Sequence, residues 1–141
     1  MSVRYLLDTN IISEPLRPKP NAGVMARLEM NEADLALAAP VWHELCYGCK
    51  RLPEGKRRRA IQLYLDEVLR QHLPILPYDA AAAQWHADER ARLEAVGMKT
   101  PFVDAQIAAI AMVNDLVLVT ANGADYLRFD GLRIEDWMTK L

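Results

Sequence analysis

The chain has 141 residues, 52% of them hydrophobic and 26% charged, with a net charge of −2. That profile fits one globular domain over residues 1–141. No apolar run approaches the roughly 20 residues of a membrane helix. The N-terminus lacks the longer apolar stretch and small-residue cleavage site of a secretory signal, so the expectation is a cytoplasmic protein with no membrane segment. The net charge does not announce a nucleic-acid binder. The positive charge is concentrated, however, at Lys50, Arg51, Lys56, Arg57, Arg58 and Arg59. A local basic patch can contact phosphates on a slightly acidic chain.

In chain order, Val3 to Leu7 reads as a buried strand, from its short apolar run. Pro15 to Pro20 is a proline-rich turn. Ala22 to Met30 reads as a helix and Leu35 to Ala39 as a second strand. Pro40 suits the start of the next helix, which runs to about Gly48. Ala60 to Gln71 is amphipathic, with Ile61, Leu65, Val68 and Leu69 at helical spacing. Pro74 to Tyr78 is a third strand. Asp79 is a good N-cap for a long helix ending at Gly97. Thr100-Pro101 repeats the start signal, as a cap followed by proline at the first helical position. The helix it opens carries Val103, Ile107, Ile110 and Ala111 on one face. Leu116 to Val119 is a fourth strand. A short helix near Ala124 to Leu127 and a last strand near Leu132 to Ile134 follow. Strands alternating with helices argue for an α/β fold, with a parallel sheet covered on both faces.

Ligands of such sheets bind beyond the carboxyl ends of the strands. Four carboxylates fall there or just after. Asp8 follows the first strand, and Glu44 lies in the first turns of the helix after the second. Asp104 lies in the first turn of the helix after Pro101. Asp125 follows the fourth strand, with Thr120 and Asn122 between. Each acid alone has a plain reading as a helix cap, a first-turn acid favoured by the helix dipole, or a solvated turn. Together they are harder to explain without a cation. Two unit charges about 4 Å apart repel by roughly 4 kcal/mol at an effective dielectric of about 20. Either a proton is retained or a metal ion is bound. Oxygen ligands suit Mg²⁺ or Mn²⁺, and such a site can activate water against a phosphodiester.

Four stretches carry a resemblance to a known family. Leu6-Leu7-Asp8-Thr9-Asn10, Glu44-Leu45-Cys46-Tyr47-Gly48, Asp104-Ala105-Gln106-Ile107-Ala108-Ala109 and Thr120-Ala121-Asn122-Gly123-Ala124-Asp125-Tyr126 resemble, in order, the motifs of the PIN-domain nucleases. Within these they resemble the VapC-type toxins of prokaryotic toxin–antitoxin pairs. The resemblance covers essentially the whole chain. It implies a three-layer α/β/α sandwich with about five parallel strands, Mg²⁺- or Mn²⁺-dependent endoribonuclease activity on RNA, tRNA included, a homodimer, and a cognate antitoxin that blocks the site. It implies Asp8, Glu44, Asp104 and Asp125 as the catalytic, metal-binding acids. Thr9, Asn10, Thr120 and Asn122 would support them or position water. Lys50, Arg51, Lys56 and Arg57 are candidates for RNA contact.

Particular residues admit other readings. His43, Cys46 and Cys49 are spaced three apart, as in a zinc site. A structural zinc needs four ligands, and His72 and His86 could approach only through folding. Buried thiols in an apolar helix, reduced as in a cytoplasmic protein, are the commoner case. Trp42, Trp85 and Trp137 fit core or interface positions better than base stacking. A haloacid-dehalogenase-like phosphatase needs Asp-x-Asp after the first strand, whereas Asp8 is followed by Thr9 and Asn10. A receiver domain needs a lysine after a late strand, and Val119-Thr120-Ala121 offers none. A non-catalytic RNA- or partner-binding domain is the remaining alternative.

Overall fold

The computed structural model describes residues 3–138. Five short strands form one sheet: β1 (Tyr5–Leu7), β2 (Leu35–Ala38), β3 (Ile75–Leu76), β4 (Val117–Val119) and β5 (Ile134–Glu135). Their spatial order is β3-β2-β1-β4-β5, and each pairing is parallel. The strands are nearly continuous apolar runs, as a sheet covered on both faces requires. From β1 the chain adds strands on one side through β2 and β3, then crosses back to add β4 and β5 on the other. With right-handed crossovers, that reversal places helices on both faces. It also opens a crevice at the carboxyl ends of β1 and β4.

Among the described residues, seven α-helices connect the strands: α1 (Thr9–Ile12), α2 (Ala22–Met30), α3 (Ala39–Lys50), α4 (Lys56–Leu63), α5 (Arg70–His72), α6 (Ala80–Ala95) and α7 (Phe102–Val113). The boundaries depart from the periodicity in instructive ways. The amphipathic helix begins at Lys56, so Arg57 to Arg59 are helical. Between α4 and α5 it widens into a π-helical stretch, Tyr64–Leu69. That stretch buries Leu65 and Leu69 but leaves Val68 exposed, contrary to a simple 3.6-residue face. Asp79 does cap α6, its Oδ1 accepting from the Ala82 amide at 3.0 Å. The helix stops at Ala95, and Gly97 turns the chain at φ +78°. Thr100 does not cap α7. Pro101 itself occupies the N-cap with extended backbone, and no side chain bonds there. Nor has α7 a single apolar face: Ala105 and Ile107 to Ala111 are all buried, whereas Val103 is exposed. Its run of alanines lets neighbouring elements approach closely on several sides. The short helix after β4 is a 3-10 turn, Gly123–Tyr126.

The core gathers Leu6, Leu7, Leu37, Val41, Ile110 and Leu118 around the sheet, with Trp137 closing one end against Tyr5. Trp42 and Trp85 are half-buried against the same core, so the three tryptophans pack rather than present open faces. Fully burying one such aliphatic side chain contributes about 1.5–3 kcal/mol.

Candidate active site

Asp8 is placed by the sheet register. Leu7 pairs with Val119, so the residues that follow them, Asp8 and Thr120, stand side by side. The Asp8 amide donates to the Val119 carbonyl at 2.9 Å. The residue is 8% exposed, and its carboxylate has two jobs. Oδ1 caps α1 by accepting from the Thr9 amide at 2.8 Å. Oδ2 accepts from the buried Thr120 hydroxyl at 2.8 Å. The β4 loop is held in turn by Asn10, whose Oδ1 accepts from the Ala121 amide at 3.1 Å, and by Thr120 Oγ1, which accepts from the Asn122 amide at 3.0 Å.

Tyr126 is the residue that sequence reasoning missed. It appeared only as the aromatic at the end of the fourth motif, with no role. Its ring is buried, and its hydroxyl lies 3.5 Å from Asp8 Oδ2 and 3.4 Å from Asp104 Oδ1, able to donate to either. Burial, with the charges of Asp8 and Asp104, pushes the phenol well above its ordinary range, so it remains a donor at neutral pH. Asp104, in the first turn of α7, is half-buried across from Asp8. Its carboxyl is held above its ordinary value of 3.8, first by burial and then by the negative charges of Asp8 and Asp125. The Tyr126 hydrogen bond pulls the other way, and Glu44 adds a weaker upward push.

Glu44 and Asp125 stand at the rim, both exposed. Glu44 Oε2 accepts from the Thr9 hydroxyl at 3.2 Å, which ties α3 to the turn after Asp8. Asp125 does not cap a helix through its side chain. It lies within the 3-10 turn, where its amide donates to the Asn122 carbonyl at 3.0 Å. The structure therefore brings the four acids to one end of the sheet, with Thr9, Asn10, Thr120 and Asn122 among them. Among the described residues, no three His, Cys, Asp or Glu side chains converge on a common point as they stand. The donors that reach Asp8 and Asp104 are hydroxyls and a backbone amide. Hard oxygen donors whose negative charges raise one another's proton affinity are the chemistry that a divalent cation satisfies.

The basic stretch spans the C-terminal end of α3 and the start of α4. Lys50, Arg51, Lys56 and Arg57 are exposed, and the Arg51 guanidinium sits 5.7 Å from the centre of the Tyr47 ring. The zinc reading fails on burial: Cys49 is buried, Cys46 half-buried and His43 exposed, so the three do not share a face. Cys49 Sγ instead lies 3.6 Å from the Arg58 carbonyl oxygen and from Gln62 Oε1. A second buried acid, Glu14, was also missed. Its Oε2 accepts from the Asn21 amide at 2.6 Å and pins the proline-rich turn to the start of α2.

A five-stranded parallel sheet with acids gathered at its switch point defines a class, and the PIN domain model matches residues 5–132. The chain belongs to the PIN domain family. Within that class it is similar to the tRNA(fMet)-specific endonuclease VapC of Shigella flexneri, 33% identical over 135 residues, 96% of this chain and 98% of that protein. It is also similar to Toxin FitB of Neisseria gonorrhoeae (strain ATCC 700825 / FA 1090), 33% identical over 138 residues, 94% of this chain and 97% of that protein. The crystal structure of FitAcB from Neisseria gonorrhoeae superposes with a TM-score of 0.87 at 32% identity, covering 94% of this chain and 97% of that one. No helix of the described residues is long and apolar enough to cross a membrane.

Proposed function

We propose that this chain is an endoribonuclease, the toxin of a toxin–antitoxin pair, that hydrolyses RNA phosphodiester bonds with Mg²⁺ or Mn²⁺. The observation that carries the reading is the gathering of Asp8, Asp104, Asp125 and Glu44 at the end of β1 and β4, where burial first, and then the charges of Asp8, Asp125 and Glu44, lift the Asp104 carboxyl. Acids brought this close are stabilised by a cation, and Asp8, Asp104, Glu44 and Asp125 would hold it. A divalent ion there supplies a nucleophilic water and neutralises charge growing on the phosphate.

The chain's own residues do the rest. Thr120 donates to Asp8, and the Tyr126 hydroxyl lies within reach of both Asp8 and Asp104, so these hydroxyls fix where the carboxylate oxygens stand. Thr9 steadies Glu44, and Asn10 fixes the β4 loop. The exposed Lys50, Arg51, Lys56 and Arg57 draw the RNA backbone toward the acids. Relatives named as tRNA-specific endonuclease and as toxin support RNA, tRNA among it, as the substrate. The neighbouring FitAcB and VapBC structures, which are toxin–antitoxin complexes, support a cognate antitoxin as partner. A homodimer in the cytoplasm completes the proposal.

The test is cleavage of total RNA and of tRNA by the purified chain, freed of any inhibitor, with Mg²⁺, with Mn²⁺ and with EDTA. Cleavage is expected to need the metal and to fall by at least about a hundredfold in Asp104→Asn. Undiminished cleavage by that variant, or in EDTA, overturns the mechanism.

A further inference from the structure

One face of α3 leads away from the acids and is not explained by them. Glu44, Tyr47 and Arg51 sit at i, i+3 and i+7, so they line one side of the helix. All three are exposed, Tyr47 with 58% of its surface open to solvent. Gly48 shares that side, and nothing lies within 4 Å of where its side chain would begin. The aromatic surface is ordered rather than scattered. His43 stacks on Tyr47, ring centres 6.3 Å apart and planes 24° apart. Arg51 covers the ring from the other end, its guanidinium 5.7 Å from the centre. Lys50, Lys56 and Arg57 continue the positive charge beyond it.

Resting on the ribonuclease reading above, we propose that this face is a stacking track for an unpaired RNA strand, with the Tyr47 ring as platform for one base. Charge complementarity selects the occupant. One end of the track is the acid site that acts on a phosphodiester, and the other is a cluster of guanidinium and ammonium groups. An aromatic ring between them offers a flat apolar surface that every base can stack on. Single strands are bound by that combination of rings and cations. From Glu44 to Arg51 the helix rises by about 10 Å, room for about three stacked nucleotides at about 3.4 Å each. A duplex keeps its bases inside and cannot use the ring. The track therefore favours unpaired segments and sets where the strand enters the site.

The experiment measures binding in the Asp104→Asn chain, which holds RNA without cutting it. The probes are a mixed-sequence unpaired RNA of about 12 nucleotides and the same strand annealed to its complement. Tyr47→Leu is expected to weaken the unpaired strand about tenfold or more and to leave the duplex unchanged, whereas Tyr47→Phe keeps the binding. In the metal-loaded chain with Asp104 intact, Tyr47→Leu should lower kcat/KM on tRNA by a similar factor. Equal affinity of Tyr47→Leu and its parent for the unpaired strand, or an equal loss on the duplex, overturns the track. If the parent chain cuts RNA and Tyr47→Leu cuts it equally well, the track falls and the ribonuclease stands. If the parent chain neither binds nor cuts RNA, both fall. Unchanged RNA binding with a weakened complex with a co-purifying inhibitor reassigns the face to protein docking and also overturns the proposal.

Discussion

A single hydroxyl, that of Tyr126, stands between the two least exposed acids of the site. It lies within 3.5 Å of Asp8 and 3.4 Å of Asp104. Its hydrogen bond lowers the Asp104 proton affinity, against burial and like charge. Tyr126→Phe keeps the buried ring and removes only that donor. The Asp104 carboxyl of the metal-free variant should then titrate at higher pH than in the parent, followed by NMR of the side-chain carbon. Cleavage should drop about 10–100-fold, the usual cost of removing a group that orients a metal ligand. An unmoved Asp104 titration would show that the hydroxyl has no hold on that acid.

At the scale of elements, α6 is locked to the turn between Tyr126 and β5 by a buried carboxylate. Glu89 takes two hydrogen bonds from Arg92, at 2.6 and 2.9 Å, and accepts from the Asp130 amide at 3.2 Å. Arg92 also donates to the Arg128 carbonyl at 2.9 Å. These contacts hold the segment that follows Tyr126 and so keep the 3-10 turn in register with Asp104. The Arg92 hydrogen bonds, opposed in part by burial, hold the Glu89 carboxyl below its ordinary value of 4.5. Because the folded state prefers the ionised acid, its contribution is present above that ordinary value. It is lost as pH falls through the lower folded value. Glu89→Gln should therefore destabilise the chain at pH 7, by about 1 kcal/mol once the half-exposed arginine is discounted for solvent screening. Urea denaturation at pH 7 and again near pH 3 checks this. The gap between variant and parent should close at the lower pH, and a gap that persists would assign the loss to packing.

For the whole molecule, the reversal of strand order at β1 is the decisive feature. It sets Asp8 beside Thr120 although 112 residues separate them in sequence. It also gathers charges that repel in the metal-free protein. A cation bound to the folded chain alone adds stability by mass action, about 2.7 kcal/mol at a hundredfold excess over its dissociation constant. Saturating Mg²⁺ or Mn²⁺ should therefore raise the melting temperature, with Asp104→Asn largely insensitive. That substitution should itself raise the metal-free melting temperature at neutral pH, because it removes one of the clustered charges. Differential scanning calorimetry with and without EDTA measures both. Equal melting of parent and variant under all conditions would remove the cation from the proposal.

How much of this was legible in the sequence follows from the range of the interactions concerned. The short apolar runs of Leu6-Leu7, Leu35 to Ala38 and Leu118-Val119, and the Asp79 cap, are local signals, and they marked the strands and the start of α6. The four acids were legible because each sits at a fixed offset from such an element, and the ordered motifs carried the resemblance to the PIN family. Periodicity misjudged α7, whose alanines let it be buried on several sides, and Val68, which the π-helical stretch turns outward. Tyr126 gained its role only through two contacts, with Asp8 and Asp104, that no spacing in the chain encodes. The Tyr47 face was likewise hidden, since exposure is a property of what fails to pack against a helix. The sequence by itself determined the elements, their alternation and the type of donors at the strand ends, because those depend on near neighbours. The tertiary structure alone decided which hydroxyl bridges which acids and which rings stay open, because those depend on strands brought together from opposite ends of the chain.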